Sequence, residues 1–315
     1  MSAAILDLIL CAMLVGTAWL AVTGRALFAA IAFFVTYGVL VAIAWVRLGA
    51  VDVALAEIAI GTGLTGVLLI GAWSALRRRG AIDTAPATRR LPRLAAAGTA
   101  SALTVLLGAA AWSLDGEERA GLGDAVEQAG AEAGTSQPVT AVLLNLRAYD
   151  TLMESAVLLL ALIAVWVLVP RAAWGDVPGL RQHARGDGVM ATLGRLLPPV
   201  GLVVAIYTVW VGSYRPGGAF QGGTILAAVG LLVVLAGLRQ APRTTARRTR
   251  VALVAGPGIF LAVGALGMAT TGHLMGLPSA SASMLIVAIE FALALSIAVA
   301  LGLLVAGNPR GQGGS

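Results

Sequence analysis

Long apolar runs separated by short polar breaks fill this chain, and the runs are too long and too uniformly apolar for the amphipathic helices of a globular domain. Runs of about 20 residues, enough to cross a hydrocarbon core of about 30 Å, fall at 3–23, 27–46, 52–76, 94–114, 150–170, 195–213, 219–238, 251–271 and 283–306. The pattern predicts an all-α fold: a polytopic membrane helical bundle of about nine transmembrane helices. No basic region precedes the first run and Arg25 follows it, so it reads as a span rather than a cleaved leader. Polar stretches at 77–93 and 171–192 contain Arg, Pro and Gly and divide the runs into groups of three, two and four. No internal repeat relates the groups.

Composition agrees and narrows the function classes. Of 315 residues, 59% are apolar and 11% charged, against about 25% charged in a typical soluble domain. A soluble enzyme and a disordered chain are both excluded. The single cysteine, Cys11, excludes a disulfide scaffold. The net charge of +6 gives no support for nucleic-acid binding. All 21 basic residues are Arg, and with nine alternating spans 17 of them fall on one side. Only Arg47, Arg119, Arg147 and Arg215 fall on the other. The positive-inside rule then puts the N-terminus out and the C-terminus in. The longest outward segment, 115–149, opens with Asp115, Glu117, Glu118, Asp124, Glu127 and Glu132. It reads as a solvated loop or as a cation-attracting mouth.

Carboxylates inside spans need a reason, since each costs about 2.5–3.5 kcal/mol at a helix centre on insertion scales. Asp7, Glu57, Asp150, Glu154 and Glu290 lie in or at the ends of spans, with Asp52 at an outer edge. No arginine lies well inside a span to pair with them. Asp52 and Asp7 are near enough to span ends for solvation. Glu57 lies about 7 Å beyond Asp52, and Glu290 about 10 Å inside its span, at 1.5 Å per residue. These two are the strongest candidates for an ion or proton pathway. Asp150 and Glu154, at i and i+4, share a helical face and either share a proton or are separated by an Arg147–Asp150 ion pair. His273, at an outer span end, is a loop residue or a further relay member.

Glycine marks two places. Gly61 and Thr65 follow Glu57 on one face, a stripe that suits helix packing or leaves room for water. Gly61, Gly63 and Gly66 also fit G-x-G-x-x-G, but inside an apolar run, where a dinucleotide site is not expected. No motif for catalysis, a cofactor, a metal or haem stands elsewhere. The second place is Tyr214-Arg215-Pro216-Gly217-Gly218-Ala219-Phe220-Gln221-Gly222-Gly223. It joins two spans almost without a loop. Pro216 and the glycine pairs prevent a continuous helix, and Gly218 with Gly222 makes a close-packing step. It reads as a tight turn plugged by Phe220, or as a backbone-lined polar pocket reached by Gln221.

Three motifs carry family resemblances. Val51-Asp52-Val53-Ala54-Leu55-Ala56-Glu57 with Ile60-Gly61 resembles the MbhD component of membrane-bound hydrogenases and the C-terminal region of the large Mrp antiporter component. Val51 and Ala56 depart from the usual Pro and Thr. Asn145-Leu146-Arg147-Ala148-Tyr149-Asp150-Thr151-Leu152-Met153-Glu154 resembles the E-type module of the same hydrogenases, with departures at Ala148, Tyr149 and Met153. Pro216 to Gly223 is similar to the P-G-G-G-F-Q-G-G of the MnhB component of Mrp-type Na+/H+ antiporters, with Ala219 departing and Glu290 matching a late glutamate of that family. The resemblances imply modules at 1–76, 94–170 and 193–306. They also imply an accessory subunit of a multisubunit Na+/proton antiporter in a bacterial or archaeal plasma membrane. Its partners would be large antiporter-like subunits, small ones resembling C, E, F and G, membrane lipids, and protons with Na+ or another monovalent cation. A scaffold component of a complex-I-like or hydrogenase-type pump is the alternative; in it the glycines dock other subunits and the carboxylates face water or headgroups. No cofactor and no enzymatic activity of the chain itself is expected.

Overall fold

The computed structural model describes residues 2–80, 90–113, 122–132, 134–168, 177–178 and 188–307. Among them the elements are helical throughout: α1 (Ser2–Thr23), α2 (Leu27–Arg47) and α3 (Val51–Ala56), which runs through a π segment (Glu57–Leu64) into α4 (Thr65–Arg78). Then come α5 (Arg90–Ser113), α6 (Gly123–Glu132), α7 (Pro138–Ala141), a second π segment (Val142–Leu146) and α8 (Ala148–Val167). The chain closes with α9 (Val189–Val211), α10 (Ala219–Leu235), α11 (Arg247–Thr271) and α12 (Ala282–Ala306). Eight helical stretches are long and apolar enough to span a membrane, counting Val51–Arg78 as one. The chain is therefore a multi-pass membrane protein. The stretch expected at 219–238 yields a helix of only 17 residues. It stops because Gly237 takes φ 72°, the left-handed conformation that ends helices. The acidic residues 115–118 and Arg119 lie outside the described residues.

Two compact units divide the chain, one of residues 1–70 and 126–315, the other of residues 71–125. In the smaller, the Arg77 guanidinium sits 5.4 Å over the Trp73 ring, and no residue of the apolar stretch Leu94–Ser113 is buried. The larger is organised around α12, which packs against α8, α9, α10 and α11. A helix apolar on every side is stable in such a central position. Ile286, Ile289, Leu293, Ile297 and Leu301 are all buried. Small residues let the neighbours close in. A Cβ at Gly223 of α10 would stand 2.9 Å from the Ala294 carbonyl of α12, and one at Gly256 of α11 2.9 Å from the Leu293 Cα. The Ser296 hydroxyl donates to the Leu253 carbonyl across the α11–α12 contact.

At the other end of this unit α1 packs along α2. Arg47, the last residue of α2, donates to both carboxylate oxygens of Asp7, at 2.9 and 3.0 Å. No arginine was expected well inside a span, and Arg47 agrees with that: it stands at the end of α2 and pairs with an acid near the start of α1. The partner is 40 positions away in sequence but returns to the same level through the helical hairpin.

Candidate functional site

The site forms where the α9–α10 reversal meets the first helix of Val51–Arg78. Gly218 is the residue before α10 and has φ 128°, a conformation that a side chain would strain. Its N–H donates to the Thr208 carbonyl at 3.0 Å, which folds the turn back on α9. Residues 135–140 tie the turn down. The Thr135 hydroxyl donates to the Ser213 carbonyl at 2.5 Å, and the Thr140 hydroxyl to the Gly212 carbonyl at 2.6 Å. Asp52 joins both pieces. It accepts from Gln137 Nε2 at 2.6 Å and from the Gly217 N–H at 2.9 Å. One carboxylate thus fastens three stretches of chain, because Pro216 and Gly217 leave a backbone donor that no helix uses.

Below this knot is a cavity of about 260 Å³, lined by Asp52, Thr140, Thr151, Glu154, Gln221 and Glu290 among apolar neighbours that include Phe220. At about 30 Å³ per molecule it has room for several waters. Glu290 closes it on the core side: the residue is 4% exposed and its Oε2 has no hydrogen-bond partner among the described residues. Glu154 is exposed and marks the open side. The Cα of Gly218 faces Glu290. A Cβ there would lie 3.1 Å from Glu290 Oε1 and 3.5 Å from Gln221 Oε1. The missing side chain therefore leaves the space into which two side-chain oxygens point. No basic side chain lines the cavity among the described residues. Three carboxylates around a wettable space, one of them buried and unpaired, can hold and pass a positive charge.

Glu57 is placed differently. It opens the π segment, half-buried, and its carboxylate lies over Gly61 and against Gly38 of α2. It does not line the Glu290 cavity. Thr62, one residue past Gly61, is buried against Gly38 with its hydroxyl unpartnered among the described residues. Gly61 therefore makes room for the carboxylate of its own helix rather than for another subunit. Glu57 stands five positions after Asp52, which at 3.6 residues per turn puts the two on different faces, and the π segment that starts at Glu57 is of a kind that gathers at functional positions.

The remaining candidates lie off the cavity or inside the packing. Asp150 is in an ion pair with Arg147 at 2.6 Å, exposed and off the cavity that Glu154 lines, the second of the two arrangements its spacing left open. His273 lies in the exposed loop after α11, where its backbone N–H donates to the Thr271 hydroxyl, and it does not line the cavity. Gly222 and Gly223 pack inside the chain: a Cβ at Gly222 would stand 2.9 Å from the Ala205 carbonyl of α9. The reading of these glycines as docking faces for other subunits is thereby corrected. Phe220 is partly buried between the cavity and the core. Gln137, Thr140 and Thr151 were not expected. They stand at the end of a polar outward segment and beside a span acid, and only the fold makes them neighbours of Asp52 and Glu290.

Comparison with known proteins gives two family matches. Residues 12–78 match the MbhD family model, described as the D component of MBH, and residues 189–308 match the MnhB model, a "Domain related to MnhB subunit of Na+/H+ antiporter". An uncharacterized protein of Methanocaldococcus jannaschii is 36% identical over 113 residues, covering 31% of this chain and 43% of that relative. The chain thus spans less than half of the curated relative it matches. Among solved structures, the Mrp complex from Dietzia sp. DQ12-45-1b superposes with a TM-score of 0.73 at 23% identity, over 98% of this chain and 35% of that one. The archaeal membrane-bound sulfane sulfur reductase, a respiratory membrane complex, gives a TM-score of 0.57 at 24% identity, over 68% of this chain and 97% of that one. At these identities the structural likeness establishes the fold, including its middle part. The two sequence matches establish the make-up of the chain: a fused subunit in which an MbhD-like segment carrying Asp52 and Glu57 precedes an MnhB-like segment carrying the Pro216–Gly223 turn and Glu290.

Proposed function

We propose that this chain is an accessory membrane component of a multisubunit cation/proton antiporter complex in a bacterial or archaeal plasma membrane, N-terminus outside and C-terminus inside. Glu290 accepts and releases the transported charge, a proton or a monovalent cation such as Na+, through the cavity it shares with Asp52 and Glu154. The observation that carries this reading is the unpartnered, buried Glu290 oxygen on a cavity lined by two further carboxylates and no base among the described residues. Asp52 holds the turn that shapes the cavity. Glu57 serves a second, separate position against α2. Large antiporter-like subunits and small ones resembling C, E, F and G are the proposed neighbours. The middle segment, 94–170, is proposed to correspond to the E-type hydrogenase module.

Replacing Glu290 by Gln removes the charge and keeps the shape. In everted vesicles carrying the whole complex, cation-driven proton exchange should fall more than tenfold while the subunits still copurify. Unchanged exchange with an intact complex rejects the pathway role. The likeness to the respiratory complex supports a second reading, a component of a redox-driven pump. Copurification separates them: iron–sulfur or hydrogenase-like subunits favour the pump, antiporter-like subunits alone the exchanger.

A further inference from the structure

Of the polar side chains that line the carboxylate cavity, half are already engaged. Asp52 accepts from Gln137 and from the Gly217 N–H. The Thr140 hydroxyl donates to the Gly212 carbonyl, and the Thr151 hydroxyl to the Leu143 carbonyl at 2.7 Å. Glu154, Gln221 and Glu290 are left. An ionised carboxylate only accepts hydrogen bonds, whereas a carboxamide both donates and accepts. The half-buried Gln221 amide is therefore the remaining side-chain N–H donor on the cavity, and it forms no hydrogen bond among the described residues.

Its backbone is fixed and its side chain is not. Gln221 stands in the first turn of α10, and the two glycines after it press that helix onto its neighbours. A Cβ at Gly222 would lie 2.9 Å from the Ala205 carbonyl of α9, and one at Gly223 2.9 Å from the Ala294 carbonyl of α12. The Gln221 Oε1 and the Glu290 Oε1 border the same point, 3.5 and 3.1 Å from where a Gly218 Cβ would stand. On its other side Gln221 borders an apolar hollow lined by Leu55, Ala59 and Ala228, so the amide is not packed on both faces. Thr208 and Thr224 of that hollow donate to carbonyls of their own helices, and Tyr207 is half-exposed. A half-turn of the terminal torsion exchanges Oε1 and Nε2 in the same place.

We propose that Gln221 is a positioning residue for Glu290, its amide turning to present N–H to the carboxylate and C=O to the carboxylic acid. The proposal rests on the reading of Glu290 as the group that carries the charge, here a proton, and adds the neutral partner that serves both of its states. The other titratable groups facing this space are Asp52 of the first helix and Glu154 of α8; α9 and α11, which also pack on α12, contribute nothing to its lining among the described residues. Both are acids, so neither donates to an ionised Glu290 while itself ionised. A hydrogen bond to a charged group is roughly twice as strong as one between neutral groups. The amide therefore favours the carboxylate more than the acid, and sets the pH range in which Glu290 releases its proton.

The test follows the carboxylic C=O infrared band of the whole reconstituted complex through a pH titration. Gln221→Met keeps the length of the side chain and removes the amide. The midpoint of the band should move upward by about one pH unit, a tenfold change in proton affinity. Gln221→Glu keeps the shape and puts a second carboxyl beside Glu290, so the band should titrate in two separated steps; it also serves if Gln221→Met fails to assemble. A residue that only fills space would leave the midpoint where it is. Glu290→Gln, measured alongside, separates this role from the reading beneath it. A band lost in Glu290→Gln but indifferent to both Gln221 variants overturns the role of Gln221 alone, as does a midpoint that moves downward in Gln221→Met. A titrating band that survives Glu290→Gln, or no such band in the wild type, rejects proton holding by Glu290 and this role with it.

Discussion

Glu290 and Glu57 looked alike as single acids set one to two turns inside apolar helices, yet the fold gives them different surroundings. Glu290 sits on the central helix α12, 4% exposed, and faces a cavity with two other carboxylates. Glu57 opens a π segment, remains half-buried, and rests over two glycines, one on its own helix and one on α2. Depth along a helix, which hydropathy measures, is similar for the two. Direction around the helix decides whether an acid meets a shared polar space or an isolated pocket, and that direction depends on which helices pack where.

The contrast can be broken first at the glycines. Gly218→Val forces a β-branched residue into φ 128° and against Glu290 Oε1. Strain at such a position is of order 1–3 kcal/mol, so a clear loss of thermal stability in detergent and a fall in exchange of tenfold or more are expected. Gly61→Val meets no left-handed backbone, although it lies in the π segment, and displaces only the carboxylate end of Glu57, so stability should change less than at Gly218. Equal destabilisation by the two would erase the distinction.

A double-mutant cycle sharpens it. Glu290→Asp and Glu154→Gln act on one cavity and should be non-additive in exchange rate, with a coupling of about 0.5–3 kcal/mol. Glu57→Gln with Glu154→Gln should be additive within about 0.5 kcal/mol. Coupling of the second pair as strong as the first would mean that the two positions share one path.

Smaller effects concern the supports. Asp52→Ala strands the Gln137 amide and the Gly217 N–H, for a cost of about 1–3 kcal/mol in unfolding experiments. Asp52→Asn still offers an oxygen to Gly217, and Gln137 can present its own oxygen to the new amide, so under ~1 kcal/mol is expected. Asp7→Asn removes an ion pair that is exposed on both sides, and should leave assembly and exchange unchanged.

Much of this architecture was legible because apolar run length is nearly a direct reading of a span. The helices at 3–23, 27–46 and 283–306 were expected within one or two residues of α1, α2 and α12. The shortening of α10 was not, because Gly237 looks from the sequence like one of many small residues in an apolar run. The break at Pro216–Gly218 was visible, since those residues exclude a helix. Its attachment to Asp52, 165 positions away, was not. The Asp7–Arg47 pair and the Gln137–Asp52 bond were hidden for the same reason: both join distant segments, and neither leaves a periodic trace. The π segment at Glu57 adds a residue to the helical turn, so ideal helical spacing misplaces everything beyond it.

If the charge that Glu290 carries is a proton, its carboxyl must exchange protons with the cavity in the assembled complex. Infrared difference spectroscopy of the reconstituted complex across a pH step reads this directly, as a carboxylic C=O band whose intensity follows pH. That band should vanish in Glu290→Gln and shift in Glu154→Gln, while Glu57→Gln leaves it in place. A wild-type spectrum that Glu290→Gln leaves unaltered would show that Glu290 does not exchange protons there, and the cavity would lose its role in proton transport.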